Sequence, residues 1–320
     1  MTAEPVTVIV TPRDRFSTAE ACLDRVFEHT PEPIEVIVSA GGMPERLRRG
    51  LESRFAARVR FLWFPEYRNT PQLRNAALRR ARTRLAACID TDVLVRAGWL
   101  GALLECQAQT GASLATPLVL DRNDLVHTAG NDLFITEKDG KRSCLMEIRY
   151  ANAAVGDTTN LERKPIDFAE VHCHLLIVQE ALDLHIYDEV YREGTEVDSG
   201  LVLKKAGRLQ MFEPGSRVYL TYPDRLDDIE DVKLYIWKWD MREVRASFAA
   251  FERKWGMTRT GRDGDSIEFY KMLNNRIGYL TRLFSAPAVL KLDNFYYRAK
   301  RTLRQGPKAW ARLKDASLGY

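Results

Sequence analysis

The sequence predicts an α/β protein: a doubly wound, mostly parallel sheet flanked by helices, with a helical C-terminal extension. Three observations carry this expectation. Four short apolar runs alternate with helical patterns over about the first 110 residues, the rhythm of successive βαβ units. The first run, Val6–Thr11 (VTVIVT), is wholly β-branched, the mark of a strand buried on both faces of a parallel sheet. Beyond Pro223 the β-branched runs become few, and aromatic and basic residues take over.

Each element has its own local signal. After the first strand, Ser17 and Glu20 have capping-box spacing, and Cys22, Leu23, Val26 and Phe27 form one face of a helix stopped by Thr30-Pro31. A second strand follows at Ile34–Val38, and Gly41-Gly42 turns the chain. Pro44 opens a helix whose Leu47, Leu51 and Phe55 recur every fourth residue. Val59–Phe64 is the third strand. Thr70-Pro71 is expected to cap a helix carrying Leu73, Ala77, Leu78, Ala81 and Leu85, before a fourth strand at Ala86–Asp90. Another helix runs through Trp99, Leu100, Leu103 and Leu104 to Gly111. Right-handed crossovers arrange such alternation into one sheet. From Asp121 to Glu170 the pattern predicts irregular, turn-rich chain. It then resumes as a strand at His174–Val178, a helix at Thr195–Ala206 closed by Gly207, and a last strand at Arg217–Leu220.

Composition narrows the classes. Of 320 residues 45% are hydrophobic, which supports a sizeable core and excludes a disordered or collagen-like chain. Forty-eight basic against forty-four acidic side chains give +4, too mild a balance to predict a nucleic-acid partner. The five cysteines are scattered and without a CxxC pair, which points to a reducing compartment rather than a disulfide framework or zinc site. The N-terminus shows no leader pattern, and nowhere do about 18 apolar residues run together. The expected location is cytoplasmic.

Ligands of open α/β sheets bind where strands end, so the strand exits are the places to look for chemistry. At the first exit, Thr11-Pro12-Arg13-Asp14 lacks the glycines of a dinucleotide fingerprint or P-loop; Arg13 is either a turn residue or a phosphate contact. At the fourth, Asp90-Thr91-Asp92 sets two carboxylates on one side of a strand end. Such a pair resists burial and suits a divalent cation, with a solvated acidic surface as the alternative. Within Glu193–Asp198, Thr195 and Asp198 have capping-box spacing, and Glu196 is a candidate general base projecting from a helix start. His172 and His174, flanking Cys173, share one face of a strand and are either structural or in contact with metal or substrate.

In order and spacing these pieces resemble the family 2 glycosyltransferases, inverting nucleotide-sugar enzymes with the GT-A fold, a Rossmann-like sheet. The resemblance covers Val6 to Leu220 and rests on VTVIVT, Leu73-Arg74-Asn75-Ala76-Ala77, ACIDTDVLVRAGWL from Ala87 to Leu100, and Thr195–Gly207 followed by Phe212-Glu213-Pro214. It implies a donor-binding half over residues 1–120, an acceptor-binding half over 121–225 and a helical extension over 226–320. It further implies that Asp92, with Asp90, binds Mn²⁺ or Mg²⁺, and that Thr11, Arg13, Arg74, Asp90 and Asp92 contact a nucleoside-diphosphate sugar. Glu196 takes the catalytic-base position, where the family usually has Asp. His172, His174 and Asp198 fall on the acceptor side, for a glycan, lipid-linked or small-molecule acceptor.

Two departures stand out. The second strand ends Val38-Ser39-Ala40 instead of in an acidic pair that holds the nucleoside. Val218-Tyr219-Leu220-Thr221 offers no histidine near the diphosphate, so either His172 or His174 takes that place or the metal is held with fewer protein ligands. These losses leave a degenerate, sugar-binding domain as one competing reading. A nucleotidyltransferase is the other, disfavoured by the absence of a glycine-rich loop in TPRDR. Between Lys291 and Asp315 eight basic residues face two aspartates, interleaved with Phe295, Tyr296, Leu303, Trp310 and Leu313. The region 291–316 is thus either a helix packed on the core or a peripheral contact with the inner face of a membrane.

Overall fold

The computed structural model describes residues 4–121, 123–158, 161–221 and 228–260, with a few isolated positions between 285 and 295. The first half alternates as its sequence requires: β1 (Val6–Thr11), α1 (Ala19–His29), β2 (Ile34–Gly41), α2 (Glu45–Phe55), β3 (Val59–Phe64), α3 (Thr70–Leu78), β4 (Leu85–Asp90), β5 (Val93–Val95) and α4 (Trp99–Thr110). The second half comprises β6 (Leu114–Asp121), β7 (Val126–Thr128), β8 (Asn131–Lys138), β9 (Lys141–Ile148), β10 (Lys164–Pro165), β11 (Cys173–Ile177), α5 (Val178–Asp183), α6 (Thr195–Lys205) and β12 (Gln210–Leu220). The extension adds α7 (Ile229–Lys238), α8 (Met241–Trp255) and β13 (Thr258–Thr260).

Among the described residues, ten strands form one sheet whose main path runs β10-β12-β6-β11-β4-β1-β2-β3. β1 pairs in parallel with both β2 and β4, β2 with β3, and β6 with β12. β11 lies antiparallel between β4 and β6. The β-branched run of β1 is buried at every position, as its composition demands. On one face Val6, Val8 and Val10 pack with Leu23, Val26, Leu51, Trp99 and Leu103, beneath α1, α2 and α4. On the other, Ile9, Ala86 and Cys88 pack with Ala77, Leu78, Ala181 and Leu203, beneath α3, α5 and α6. Helices on both faces make the sheet doubly wound, a mixed α/β Rossmann-like architecture.

Several local expectations are corrected. Ser17 and Glu20 do not form a capping box: α1 begins after Thr18 with no side-chain cap, and Ser17 donates instead to Asp231 of α7. The cap of α3 is Asn69, not Thr70, in a reciprocal box with Gln72. That helix ends at Leu78, so Ala81 lies beyond it and Leu85 opens β4. α6 starts after Gly194 in a left-handed conformation (φ 94°), and Asp198 bonds to Lys254 and Trp255 rather than capping. The stretch 121–170 is not irregular: β8 and β9 form an antiparallel hairpin in unbroken register, and β13 adds to β9. Its mostly exposed outer half, including Phe134 and Ile135, lacks the apolar alternation that marks a half-buried strand. Over its described part the extension is helical through α7 and α8, followed by the short strand β13. Most of the basic segment 291–316 lies outside the described residues, and among those described no helix is long and apolar enough to cross a membrane.

Candidate active site

The sheet's connections leave β1 toward β2 and enter β4 on its other side, so a crevice opens between the carboxyl ends of β1 and β4. Thr11 and Asp90 are paired at that end, and Thr91 N donates to Thr11 O at 3.0 Å. The antiparallel β11 brings a third group: Asp90 N donates to His172 O at 2.9 Å, which sets the His172 side chain beside Asp90.

Three basic groups converge on Asp90. Arg74, carried by α3 and fully buried, donates through Nη2 to Asp90 Oδ1 at 2.8 Å and to Val171 O at 2.6 Å. His172 Nδ1 lies 3.1 Å from Asp90 Oδ2, and Arg13 Nε lies 3.8 Å from the same oxygen. Asp92 is different. It is 1% exposed, and among the described residues neither carboxylate oxygen has a hydrogen-bond partner. Burial, then the carboxylates of Asp90 and Asp14, push its carboxyl up to about 6. An anionic group in that position is costly unless something cationic meets it.

The donor set fits a divalent cation. One atom each from Asp90, Asp92 and His172 lie within 4.8 Å of one another, all three residues buried. Two carboxylates and an imidazole suit Mn²⁺ or Mg²⁺ better than a thiolate-seeking metal. His172 therefore stands among the groups that could hold a metal, beside Asp90 and Asp92. Its Nε2 meets Glu170 Oε2 at 3.1 Å, and Glu170 in turn meets His127 Nε2 at 2.9 Å. Burial and Arg13 oppose charge on His172, yet its bonds to Asp90 and Glu170 hold its pKa above the ordinary value. Fixing one ring nitrogen with a carboxylate orients the other, as partners of metal-bound histidines commonly do.

The remaining predicted residues divide. Thr11 is fully buried, its Oγ1 without a hydrogen-bond partner among the described residues. His174 is buried against the Tyr187 hydroxyl, and burial with Arg74 and His172 nearby keeps it well below the usual imidazole range. Glu196 lines a narrow cavity with Val171, His174, Tyr187 and Ser199, on the side of the sheet that Arg74 occupies; Oε1 accepts from Arg259 Nη2 at 3.0 Å. Asp198 is wholly buried, accepting from Lys254 at 2.9 Å and Trp255 at 2.7 Å.

Other participants were not visible in the sequence. Asp14 is buried against Lys238 at 2.7 Å and Trp239 at 3.2 Å, both at the end of α7. Burial alone would raise the Asp14 carboxyl, but Lys238 and Arg13 hold it well below its ordinary value. Glu170, His127 and Arg259 likewise carry no local signal, since each meets its partner through tertiary contact. Ser39, where an acidic residue was expected, donates to Leu73 O at 2.8 Å and so ties β2 to α3.

Residues 7–161 match the family described as glycosyl transferase family 2. No curated protein sequence matches the chain. Among solved structures the chain is similar to GalNAc-T7 with UDP, GalNAc and Mn²⁺, at 16% identity and TM-score 0.51 over 70% of this chain. It spans 44% of the length of that protein. It also matches the mannosyltransferase PcManGT from Pyrobaculum calidifontis in complex with GDP-Man and Mn²⁺, at 17% identity and TM-score 0.47, over 98% of this chain and 79% of that one. The fold is of the GT-A type, and residues 7–161, a little under half of the chain, are similar to glycosyl transferase family 2.

Proposed function

We propose that the protein is an inverting, metal-dependent glycosyltransferase that moves a sugar from a nucleoside-diphosphate sugar to an acceptor hydroxyl, with Glu196 as general base. The observation that carries this reading is Asp92: two buried carboxylate oxygens with no donor among the described residues, at the strand end where this fold places its ligand, beside Asp90 and His172. Asp92, His172 and Asp90 would hold Mn²⁺ or Mg²⁺. When bound, the cation supplies neutralisation of the charge that builds on the leaving nucleoside diphosphate. The neighbouring structure with UDP and Mn²⁺ supports this assignment by fold.

The chain's own residues supply the rest. Arg74 fixes Asp90 from below. Arg13, 14% exposed at the β1 exit, is the basic side chain placed to meet a phosphate, and Thr11 borders the same crevice. Glu196 accepts the proton of the acceptor hydroxyl as that oxygen attacks the anomeric carbon from the face opposite the leaving group. Such general-base help contributes about 10²–10⁴ in rate. Asp198 serves the acceptor side indirectly, by anchoring the turn that bears Glu196. The acceptor is a glycan, a lipid-linked sugar or a small molecule. A cytoplasmic setting, at the inner membrane face through 291–316, belongs to the same reading and rests on sequence alone.

Product analysis tests it. With Mn²⁺ and a panel of nucleotide sugars, release of free nucleoside diphosphate is expected; pyrophosphate would mark nucleotidyl transfer instead. Undiminished turnover by Glu196→Gln would remove Glu196 from the base role.

A further inference from the structure

We infer that Arg259, delivered by β13 just after α8, is the positioning residue for Glu196, so that the segment from α8 to β13 is part of the catalytic apparatus. This rests on the assignment of Glu196 as base. Arg259 is nearly buried, its side chain 3% exposed, and Nη2 donates to Glu196 Oε1 at 3.0 Å. Glu196 Oε2 has no hydrogen bond among the described residues, which leaves it as the oxygen to take a proton. A guanidinium is a planar, rigid donor and orients a carboxylate more narrowly than an ammonium does.

The chain is shaped to admit this side chain. Gly194, the residue before α6, has φ 94°, and an added Cβ there would lie 1.6 Å from Arg259 Nη1 and 2.8 Å from Cζ. Only glycine gives both the left-handed turn and the space. The guanidinium also lies 5.4 Å from the Phe248 ring centroid and 5.7 Å from that of Phe251, both on α8.

One residue pair further along α6, the same segment takes a second hold. Lys254 and Trp255, the last residues of α8, donate to Asp198 at 2.9 and 2.7 Å, and Lys254 also reaches Asp188 at 3.0 Å. Glu196 and Asp198 flank Val197, which packs into a cluster with Phe251, Met257, Tyr191 and Leu133. The first turn of α6 is therefore gripped on both acids by residues from outside 7–161, the span of the family match. A misplacement of about 1 Å at a reacting group costs roughly 10²-fold in rate, so such a hold has catalytic consequence.

The test compares full-length wild type, Glu196→Gln, Arg259→Met and Arg259→Lys. The readouts are nucleoside diphosphate released from UDP- and GDP-sugars with MnCl₂, affinity for MnCl₂ with UDP or GDP, and amide exchange of 193–200. Arg259→Met is expected to lower kcat by roughly 10–100-fold with KM for the donor and nucleotide affinity unchanged, and to speed exchange of 193–200 but not of 85–95. Arg259→Lys is expected to recover part of kcat, and it carries the test if the methionine variant fails to fold. An inactive Glu196→Gln beside an Arg259→Met or Arg259→Lys protein of wild-type kcat would overturn the positioning role alone. An active Glu196→Gln would overturn the base assignment itself, and this inference with it.

Discussion

Arg74 Nη2 donates to Asp90 Oδ1 at 2.8 Å, and neither side chain reaches solvent. Arg74 is supplied by α3, whose start is fixed by the Asn69–Gln72 box, and Asp90 by the end of β4. The pair thus joins a helix to the floor of the crevice. Removing one partner of a buried pair typically costs roughly 3–5 kcal/mol, because the other charge is left uncompensated. Arg74→Met is expected to lose stability of about that size in urea unfolding, and MnCl₂ is expected to restore part of it. A midpoint equal to wild type would contradict this.

Asp92 gives a pH signature in the metal-free protein. Its carboxyl is raised from 3.8 to about 6, so between those values the folded state holds a proton that the unfolded state has released. Stability from this group is complete below about pH 4 and is lost as pH rises toward 6, a total of roughly 3 kcal/mol. Asp92→Asn lacks that loss. Urea midpoints in EDTA should show the variant gaining on wild type between pH 4.5 and 7.5, while equal differences at both pH values would contradict the assignment.

Asp14 and Lys238 tie the β1 exit to α7 across 224 positions of sequence, both side chains nearly buried. Lys238→Met takes the closest cation from the buried Asp14 carboxylate, which lies near Asp92 and keeps Arg13 at 3.7 Å, with an expected cost of roughly 3–5 kcal/mol. Adding Asp14→Asn should recover much of that cost, since the coupling lies between the two. A double variant as unstable as the sum of the two singles would show that they act independently.

The architecture was legible because β1 to β4 carry continuous apolar runs, and Asp90-Thr91-Asp92 announced itself by standing at the end of one of them. The alternation in His172-Cys173-His174 was visible as well. That His172 rather than His174 reaches the aspartates depends on the antiparallel register of β11 on β4, which no local pattern encodes. Ser17 shows the limit of motif spacing: its hydroxyl had the right offset for a cap, but the buried Asp231 carboxylate offered a stronger acceptor. Arg259 was invisible for a related reason, since its only sequence trace is Gly194, one glycine among nineteen. The hairpin of β8 and β9 escaped notice because its outer half is mostly exposed and so has no apolar alternation.

The central claim is that Asp92, with Asp90 and His172, holds a divalent cation to which a nucleoside diphosphate binds. Calorimetric titration of UDP, GDP and other nucleoside diphosphates tests it most directly, in MnCl₂, in EDTA, and with Asp92→Asn in MnCl₂ after circular dichroism confirms its fold. At least one nucleotide should bind wild type in Mn²⁺, with that binding lost in EDTA and in the variant. Binding that is equally tight in EDTA or in Asp92→Asn, or no binding of any nucleotide to wild type, would contradict it.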